Sequence, residues 1–113
     1  MQIISSTISI DELRKISAKI FGDMLKAVVD IDRELIAVDA ELHADLEAML
    51  LEDGSRQNSL WGINFYPDIE DEDLVEFDSL INIRPANGNT GRGVDSPEVR
   101  EKILQLVDKL VRR

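Results

Sequence analysis

Apolar residues recur at helical spacing near the start of the chain. Ser9 and Glu12 stand three residues apart, which is the arrangement of a capping box at the beginning of a helix. The apolar positions that follow are spaced as one buried helix face requires: Ile10, Leu13, Ile16, Ile20 and Phe21. Gly22 is suited to end such a helix. We therefore predict a first helix from about residue 9 to residue 21.

Two later stretches show the same periodicity. Residues 44–52 carry an apolar stripe, and Asp53-Gly54-Ser55 is suited to end a helix there. A last helix is predicted to open at Asp95, with Glu98 completing a capping box and Pro97 tolerated in the first turn. Its buried stripe would consist of Val99, Ile103, Leu106, Val107 and Leu110.

Two runs rich in β-branched residues, 24–31 and 35–40, predict a pair of strands joined by residues 32–34. The turn contains neither glycine nor asparagine, so the register of this hairpin stays open. A helix running through the turn is the alternative, because Glu34 and Leu35 are good helix formers. We favour the strands.

A second hairpin is predicted further along. Residues 60–66 read as a strand that Pro67 ends, and residues 68–73 form an acidic loop that we expect to be solvated. Residues 75–84 show the clearest alternation in the chain, with Leu80 as the one exception on the polar side. The side chains expected to face the core are Val75, Phe77, Ser79, Ile81 and Ile83.

These elements predict a single α+β domain over residues 1–113, in the order α-β-β-α-β-β-α. Short connections favour an antiparallel sheet of about four strands, formed by two hairpins, with the helices packed on one face. The opposite face would be partly open or covered by a second copy of the chain.

Charge and composition narrow the partners. The net charge is −10, and residues 27–83 hold 16 carboxylates against two arginines, a local net of −14 that would repel a nucleic acid. No run approaches the roughly 18 apolar residues of a membrane span, and the first residues do not resemble a signal peptide. The chain has no cysteine, so we expect a cytoplasmic protein. We also expect that it contacts neither membrane nor nucleic acid and that it needs no cofactor.

A loop rich in glycine and asparagine is the most suggestive feature. It lies between the predicted last strand and the last helix, where backbone amides and a helix N-terminus favour a small anion such as phosphate or carboxylate. The residues that would form this site are Arg84, Asn87, Asn89, Gly91, Arg92 and Gly93. The competing interpretation is a tight structural turn whose arginines pair with carboxylates of this acidic chain.

A polar sheet face could extend that site. Asn64, Asp78 and Asn82, together with Tyr66 and Arg84, would share one side of the second hairpin. Such a group can orient a small ligand, although polar residues also belong on the exposed side of an antiparallel sheet.

The chain has one histidine, His43, in an acid-rich segment. On a helix, His43 and Glu47 are one turn apart and could share a metal ion. One histidine with no HExxH motif is a weak metal signal, so we predict a solvated histidine and no metal site.

Several segments resemble a known family. They are residues 50–55, the run Leu60-Trp61-Gly62-Ile63-Asn64-Phe65-Tyr66-Pro67, residues 76–85, and Arg92-Gly93-Val94. The chain resembles a family of small prokaryotic proteins catalogued only as a domain of unknown function, over nearly its whole length. The resemblance implies one intact domain from a bacterial or archaeal cytoplasm and carries over no catalytic residue.

Two classes of function follow. The first is a non-catalytic binding or interaction module that forms a homodimer. The second is a small-anion binding protein or small enzyme that uses the loop of residues 84–95, with Arg84 and Arg92 holding the anion.

Overall fold

A computed structural model describes residues 1–113. Its three α-helices are α1 (Ile10–Ile20), α2 (His43–Glu52) and α3 (Pro97–Leu110). Its seven strands are β1 (Gln2–Ile4), β2 (Ile8–Ser9), β3 (Leu25–Asp30), β4 (Leu35–Val38), β5 (Leu60–Phe65), β6 (Val75–Glu76) and β7 (Val111–Arg112). α3 is the longest helix, with 14 residues, and none of the three combines the length and apolar character needed to cross a membrane.

Serine hydroxyls cap the N-termini of two helices. Ser9 Oγ accepts the amide of Glu12 at 3.1 Å, so the predicted start of α1 is confirmed. At α3 the cap lies one residue later than predicted, because Ser96 Oγ accepts the amide of Val99 at 3.2 Å. The amide of Asp95 is instead held by Asn89 Oδ1 at 2.9 Å.

β3 is the central strand of a five-stranded antiparallel sheet with the order β1-β4-β3-β5-β6. The predicted first hairpin is confirmed, and its register pairs Asp30 with Leu35. Asp30 Oδ1 accepts the amides of Asp32 and Arg33, both at 2.9 Å, which builds the turn without glycine or asparagine. β1 adds a fifth strand to the expected four, and β2 and β7 form a separate parallel pair.

Helices cover both faces of this sheet, which corrects the expectation of helices on one face. α1 and α3 pack on one side, where Ala27 and Val29 of β3 contribute to a core of 20 buried residues. α2 packs on the other side, where Val28 joins Leu46 and Leu50 in a second cluster. Consecutive residues of β3 are buried on opposite faces, so each face needs its own apolar cover. The α+β class and the antiparallel sheet are confirmed.

The strand predicted over residues 75–84 is wrong beyond Glu76. Only Val75 and Glu76 pair with β5, and the chain then turns through a short 3₁₀ segment, Leu80–Asn82. Ile81 is half-buried against the α2-side cluster, and Ile83 is exposed. Ser79 lies directly against Gly62 of β5, and its amide donates to the Arg92 carbonyl at 3.0 Å rather than to β5.

Candidate functional site

A cleft of about 190 Å³ opens on the α2 side of the sheet, where α2 leaves part of the strands uncovered. One wall is the beginning of α2, the other is the segment after β6, and the floor comes from β3 and β5. Its lining residues are Lys26, Leu42, His43, Ala44, Asn64, Asp78, Ser79, Leu80, Ile81 and Arg92. We call this set the α2 cleft.

The α2 cleft is the cavity that contains residues predicted as a site. Three of those residues, Asn64, Asp78 and Arg92, line it together. Three other depressions, of about 150, 350 and 420 Å³, are lined by none of the predicted residues. Size alone therefore does not select the candidate site, whereas the convergence of polar groups does.

An ion pair and an amide organise the polar part of the cleft. Arg92 Nε donates to Asp78 Oδ1 at 2.6 Å. Asn64, only 5% exposed, donates from Nδ2 to Glu76 Oε1 at 2.8 Å and to the Asp78 carbonyl at 3.3 Å. Both amide hydrogens of Asn64 are thus used, and its buried Oδ1 has no hydrogen-bond partner. An unpaired buried acceptor is uncommon in folded proteins.

His43 is buried in the cleft wall rather than solvated. Its Nε2 lies 2.8 Å from the Ile63 carbonyl, to which the neutral ring donates. Burial lowers the pKa of His43; the bond to Ile63 opposes this, and the positive charges of Lys26 and Arg92 add to the lowering. The expectation of a solvated histidine is therefore wrong, because the ring is buried and hydrogen-bonded to the backbone of β5.

The start of α2 differs from the starts of the other two helices. Its N-cap residue is Leu42, and no side chain accepts a hydrogen bond from the first turn. Leu42 and Ala44 line the cleft, so the positive end of the helix dipole lies beside it. Asp45, also in the first turn, provides a partly opposing negative charge.

Two other predicted site residues, Asn82 and Arg84, lie outside the cleft along the edge of β5. Asn82 is fully buried and bonds to the backbone of Gly62. Arg84 donates to the Leu60 carbonyl, lies 3.7 Å from Glu47 and stacks on Trp61, with 4.9 Å between guanidinium carbon and ring centroid. Burial lowers the pKa of Arg84, and the Glu47 carboxylate opposes this.

The glycine-rich loop is organised around the buried side chain of Asn89. Its Nδ2 donates to the carbonyls of Asn82, Gly91 and Gly93 at 2.8, 3.2 and 2.9 Å. Asn87 and Gly91 are exposed, and no depression borders Asn87, Asn89, Gly91 or Gly93. Arg84 and Arg92 each pair with a carboxylate of the chain.

No three histidine, aspartate or glutamate side chains gather closely enough to hold a metal ion. The contacts of His43 and Glu47 are to other groups, the Ile63 carbonyl and the Arg84 guanidinium. Burial raises the pKa of Glu47, and the positive charge of Arg84 opposes this.

Seven cleft residues were not predicted as site residues: Lys26, Leu42, His43, Ala44, Ser79, Leu80 and Ile81. Two left a signal in the sequence. Lys26 is the one basic residue in the apolar run that forms β3, and Leu80 broke the alternation of residues 75–84. The position of Leu42 beside them depends on the packing of α2, which no local pattern encodes.

Comparison with known proteins places the chain in a family. No curated protein and no solved structure matches it. The predicted resemblance to an uncharacterised domain family is confirmed, because a family model described as "Protein of unknown function (DUF5674)" matches residues 2–110. The chain belongs to the DUF5674 family.

Proposed function

We propose that this protein is a non-catalytic interaction module that forms a homodimer through the surface around the α2 cleft. The observation that carries the proposal is the exposure of two leucines on opposite walls of that cleft. Leu80 is 67% exposed and Leu42 is 55% exposed. Large apolar side chains gathered at one place on a surface mark interaction sites.

A third apolar side chain extends this surface. Phe21, 41% exposed, lies under the ammonium group of Lys26, with 5.4 Å between Nζ and the ring centroid. Lys26 belongs to the cleft, so Phe21 continues the apolar rim beyond it. A stable interface buries about 800 Å² per partner, and this rim supplies the apolar centre that such an interface needs.

Charge favours a second copy as the partner. Two chains of net charge −10 repel each other over most of their surface. The charged side chains that line the cleft are Lys26, Arg92 and Asp78, a local net of +1 when His43 is neutral. At this surface two copies would therefore meet without a local excess of negative charge.

The Arg92–Asp78 pair also suits two-fold symmetry. In a symmetric dimer both copies use the same surface, so when one residue contacts a second residue of the partner, the reverse contact is also made. Such a surface must be complementary to itself. A patch that carries one guanidinium beside one carboxylate meets this condition, because Arg92 can face Asp78 of the second copy and the reverse.

The cleft lacks the parts of a nucleophilic enzyme. Its hydroxyl, Ser79, is buried and accepts the amide of Ile81 at 3.3 Å. Its imidazole, His43, is hydrogen-bonded to the Ile63 carbonyl, and no hydrogen bond joins His43 to Ser79. These contacts support binding without catalysis.

We also propose that the protein is cytoplasmic, because the chain lacks cysteine, and that it is of prokaryotic origin.

Sedimentation velocity over a wide concentration range tests the proposal. The unaltered chain is expected to sediment as a dimer, and Leu80→Asp is expected to shift it to monomer. Leu51→Asp is the matched control, since Leu51 is 38% exposed and lies outside the cleft. Arg92→Asp should weaken the dimer, and Asp78→Arg combined with Arg92→Asp should restore it. A monomer at every concentration, or equal loss in both leucine variants, would refute the proposal.

A further inference from the structure

We propose that a groove on the α1 and α3 side of the sheet binds a cationic, partly apolar segment of a partner protein. The groove consists of two depressions, of about 350 and 150 Å³, whose linings share Asp71 and Arg113. We call it the acidic groove. It lies on the face of the sheet opposite to α2, so this inference does not depend on self-association around the α2 cleft.

The hydrophobic core itself forms the floor of the acidic groove. Leu74, Val75 and Val107 line the groove and belong to the core of 20 buried residues under α1 and α3. Ile69, which is 45% exposed, stands at the edge of this floor. An apolar floor that continues into an exposed isoleucine is suited to receive a large apolar side chain of a partner.

Carboxylates outnumber cations in the lining of the acidic groove by four to two. Both cations are already paired. Arg14 lies 2.6 Å from Asp11 and 2.8 Å from Asp68. Arg113 lies 3.2 Å from Asp108. The lining therefore keeps three carboxylates that no ion pair of the chain engages: Glu70, Asp71 and Glu72.

These three unpaired carboxylates select the charge of the partner. They do not gather closely enough to hold a metal ion. They would repel a nucleic acid, an anionic membrane surface and a second copy of this chain, whose net charge is −10. Lysine or arginine side chains of a partner would pair with them. Together with the apolar floor, this points to a segment in which basic residues flank one large apolar side chain.

Hydrogen bonds hold the acidic wall of the groove in place before any partner binds. Asp71 has a left-handed φ of 64°, and its Oδ1 accepts the amide of Asp73 at 2.9 Å. The amide of Tyr66 donates to the Leu74 carbonyl, and the amide of Ile69 donates to the Tyr66 carbonyl, both at 2.9 Å. Because this wall is already ordered, little conformational entropy is lost there on binding, which favours affinity.

Binding of two synthetic peptides to the full chain tests the inference by fluorescence anisotropy. The first peptide carries a central tryptophan and leucine flanked by lysines, and the second has serine in place of the tryptophan and leucine. The first should bind saturably, with an affinity that falls as salt rises. The second should bind about tenfold more weakly, because it cannot cover the apolar floor. Equal affinity for both peptides would overturn the inference.

Charge variants separate the groove from the general acidity of the chain. Glu70→Lys combined with Glu72→Lys should weaken binding of the first peptide on the order of tenfold, because two attractions become repulsions. Glu41→Lys combined with Glu52→Lys is the matched control, since it changes the net charge equally at exposed positions outside the groove. Equal losses in the two double variants would mean that net charge alone attracts the peptide, and the inference would fall.

An apolar variant and amide shifts locate the contact. Ile69→Ser should weaken binding of the first peptide about fivefold, whereas Leu51→Ser, also at an exposed apolar residue, should not. In nitrogen-15 spectra the largest shifts should lie at Ile69, Leu74 and Leu104. Largest shifts at Ala44, in the α2 cleft, would contradict the inference.

Sedimentation of the same variants keeps this inference apart from the homodimer. Loss of self-association in Ile69→Ser would make a second copy the occupant of the groove and would overturn the inference. A monomer that binds the first peptide in the groove refutes only the homodimer. A dimer that does not bind the peptide refutes only the acidic groove as a binding site.

Discussion

The side chain of Asn82 pairs with the backbone of Gly62 as a neighbouring strand would. Its Oδ1 accepts the Gly62 amide at 2.8 Å, and its Nδ2 donates to the Gly62 carbonyl at 2.9 Å. β6 covers β5 only at Asn64 and Phe65, so this side chain closes the part of the edge that β6 leaves. An open strand edge invites pairing with another chain, and Asn82 removes that possibility at Gly62.

Asn82→Ala is expected to destabilise the fold by about 3 kcal/mol. The substitution leaves the Gly62 amide and carbonyl without partners and also removes a bond of 3.0 Å to the Arg92 carbonyl. Urea unfolding measures the change, and Gly62 amide exchange should quicken. Asn87→Ala, at an exposed asparagine nearby, should change stability by less than about 0.5 kcal/mol. Similar stabilities for the two variants would show that the side-chain pairing is unimportant.

Gly62→Ala is expected to cost about 1–3 kcal/mol through steric overlap. A Cβ at position 62 would lie 2.5 Å from both Cβ and Oγ of Ser79. Adding Ser79→Gly removes both atoms, so the double variant should lose less stability than the two single losses together, by about 1 kcal/mol. Gly91→Ala meets nothing within 4 Å and should be neutral. Strict additivity in thermal unfolding would argue against the overlap.

Arg84→Met is expected to destabilise the protein by about 2–4 kcal/mol, because it leaves the half-buried Glu47 carboxylate without its partner. The methionine keeps an apolar chain over Trp61 but loses the bond to the Leu60 carbonyl. Combining it with Glu47→Leu should restore most of the loss, since no unpaired charge stays buried. Lys109→Met, from the exposed pair with Glu34, should cost less than about 1 kcal/mol. No recovery in the double variant would contradict this account.

Because of His43, the free energy of unfolding should depend on pH in the acidic range. The folded chain holds its pKa below the ordinary 6.5, so below that pH the unfolded chain binds more protons. The free energy of unfolding should therefore fall as pH decreases from 6.5 towards the folded pKa, and be unaffected by this group above it. Glu47 acts in the opposite direction, because its raised pKa makes stability fall as pH rises above 4.5.

Comparison with His43→Gln isolates the histidine contribution. The variant keeps a side-chain donor for the Ile63 carbonyl and removes the titration. Chemical unfolding at a series of pH values should give a smaller loss below pH 6.5 in the variant than in the unaltered chain. Parallel curves would mean that His43 is not the source.

Local patterns predicted those elements whose cause is local. The Ser9 cap, the apolar stripes of α1 and α3 apart from Phe21, which is exposed beyond the end of α1, and the β3–β4 hairpin were predicted correctly from spacing and residue type. The strand predicted over residues 75–84 failed because alternation describes burial and not backbone pairing. There the Asn82 side chain takes the hydrogen bonds of a strand, which the sequence pattern does not distinguish.

The candidate site was predicted in part. Asn64, Asp78 and Arg92 do meet in one cleft, whereas Arg84 and Asn89 are engaged elsewhere. Lys26 and Leu42 join them only because α2 crosses to the face opposite α1 and α3. The face on which a helix packs is decided by tertiary contacts, so residue spacing could not supply that half of the site.

The parallel pairing of β2 with β7 joins Ile8 to Val111, two buried residues that lie at opposite ends of the described chain. Contacts between such distant positions form late, because the entropy of closing a long loop is lost before these contacts can stabilise the fold. Until Val111 is available, Ile8 and the α1 that follows it have an incomplete apolar neighbourhood. On the ribosome, a nascent chain would therefore leave Ile8 and the apolar face of α1 accessible to chaperones until the last turn of α3 had emerged.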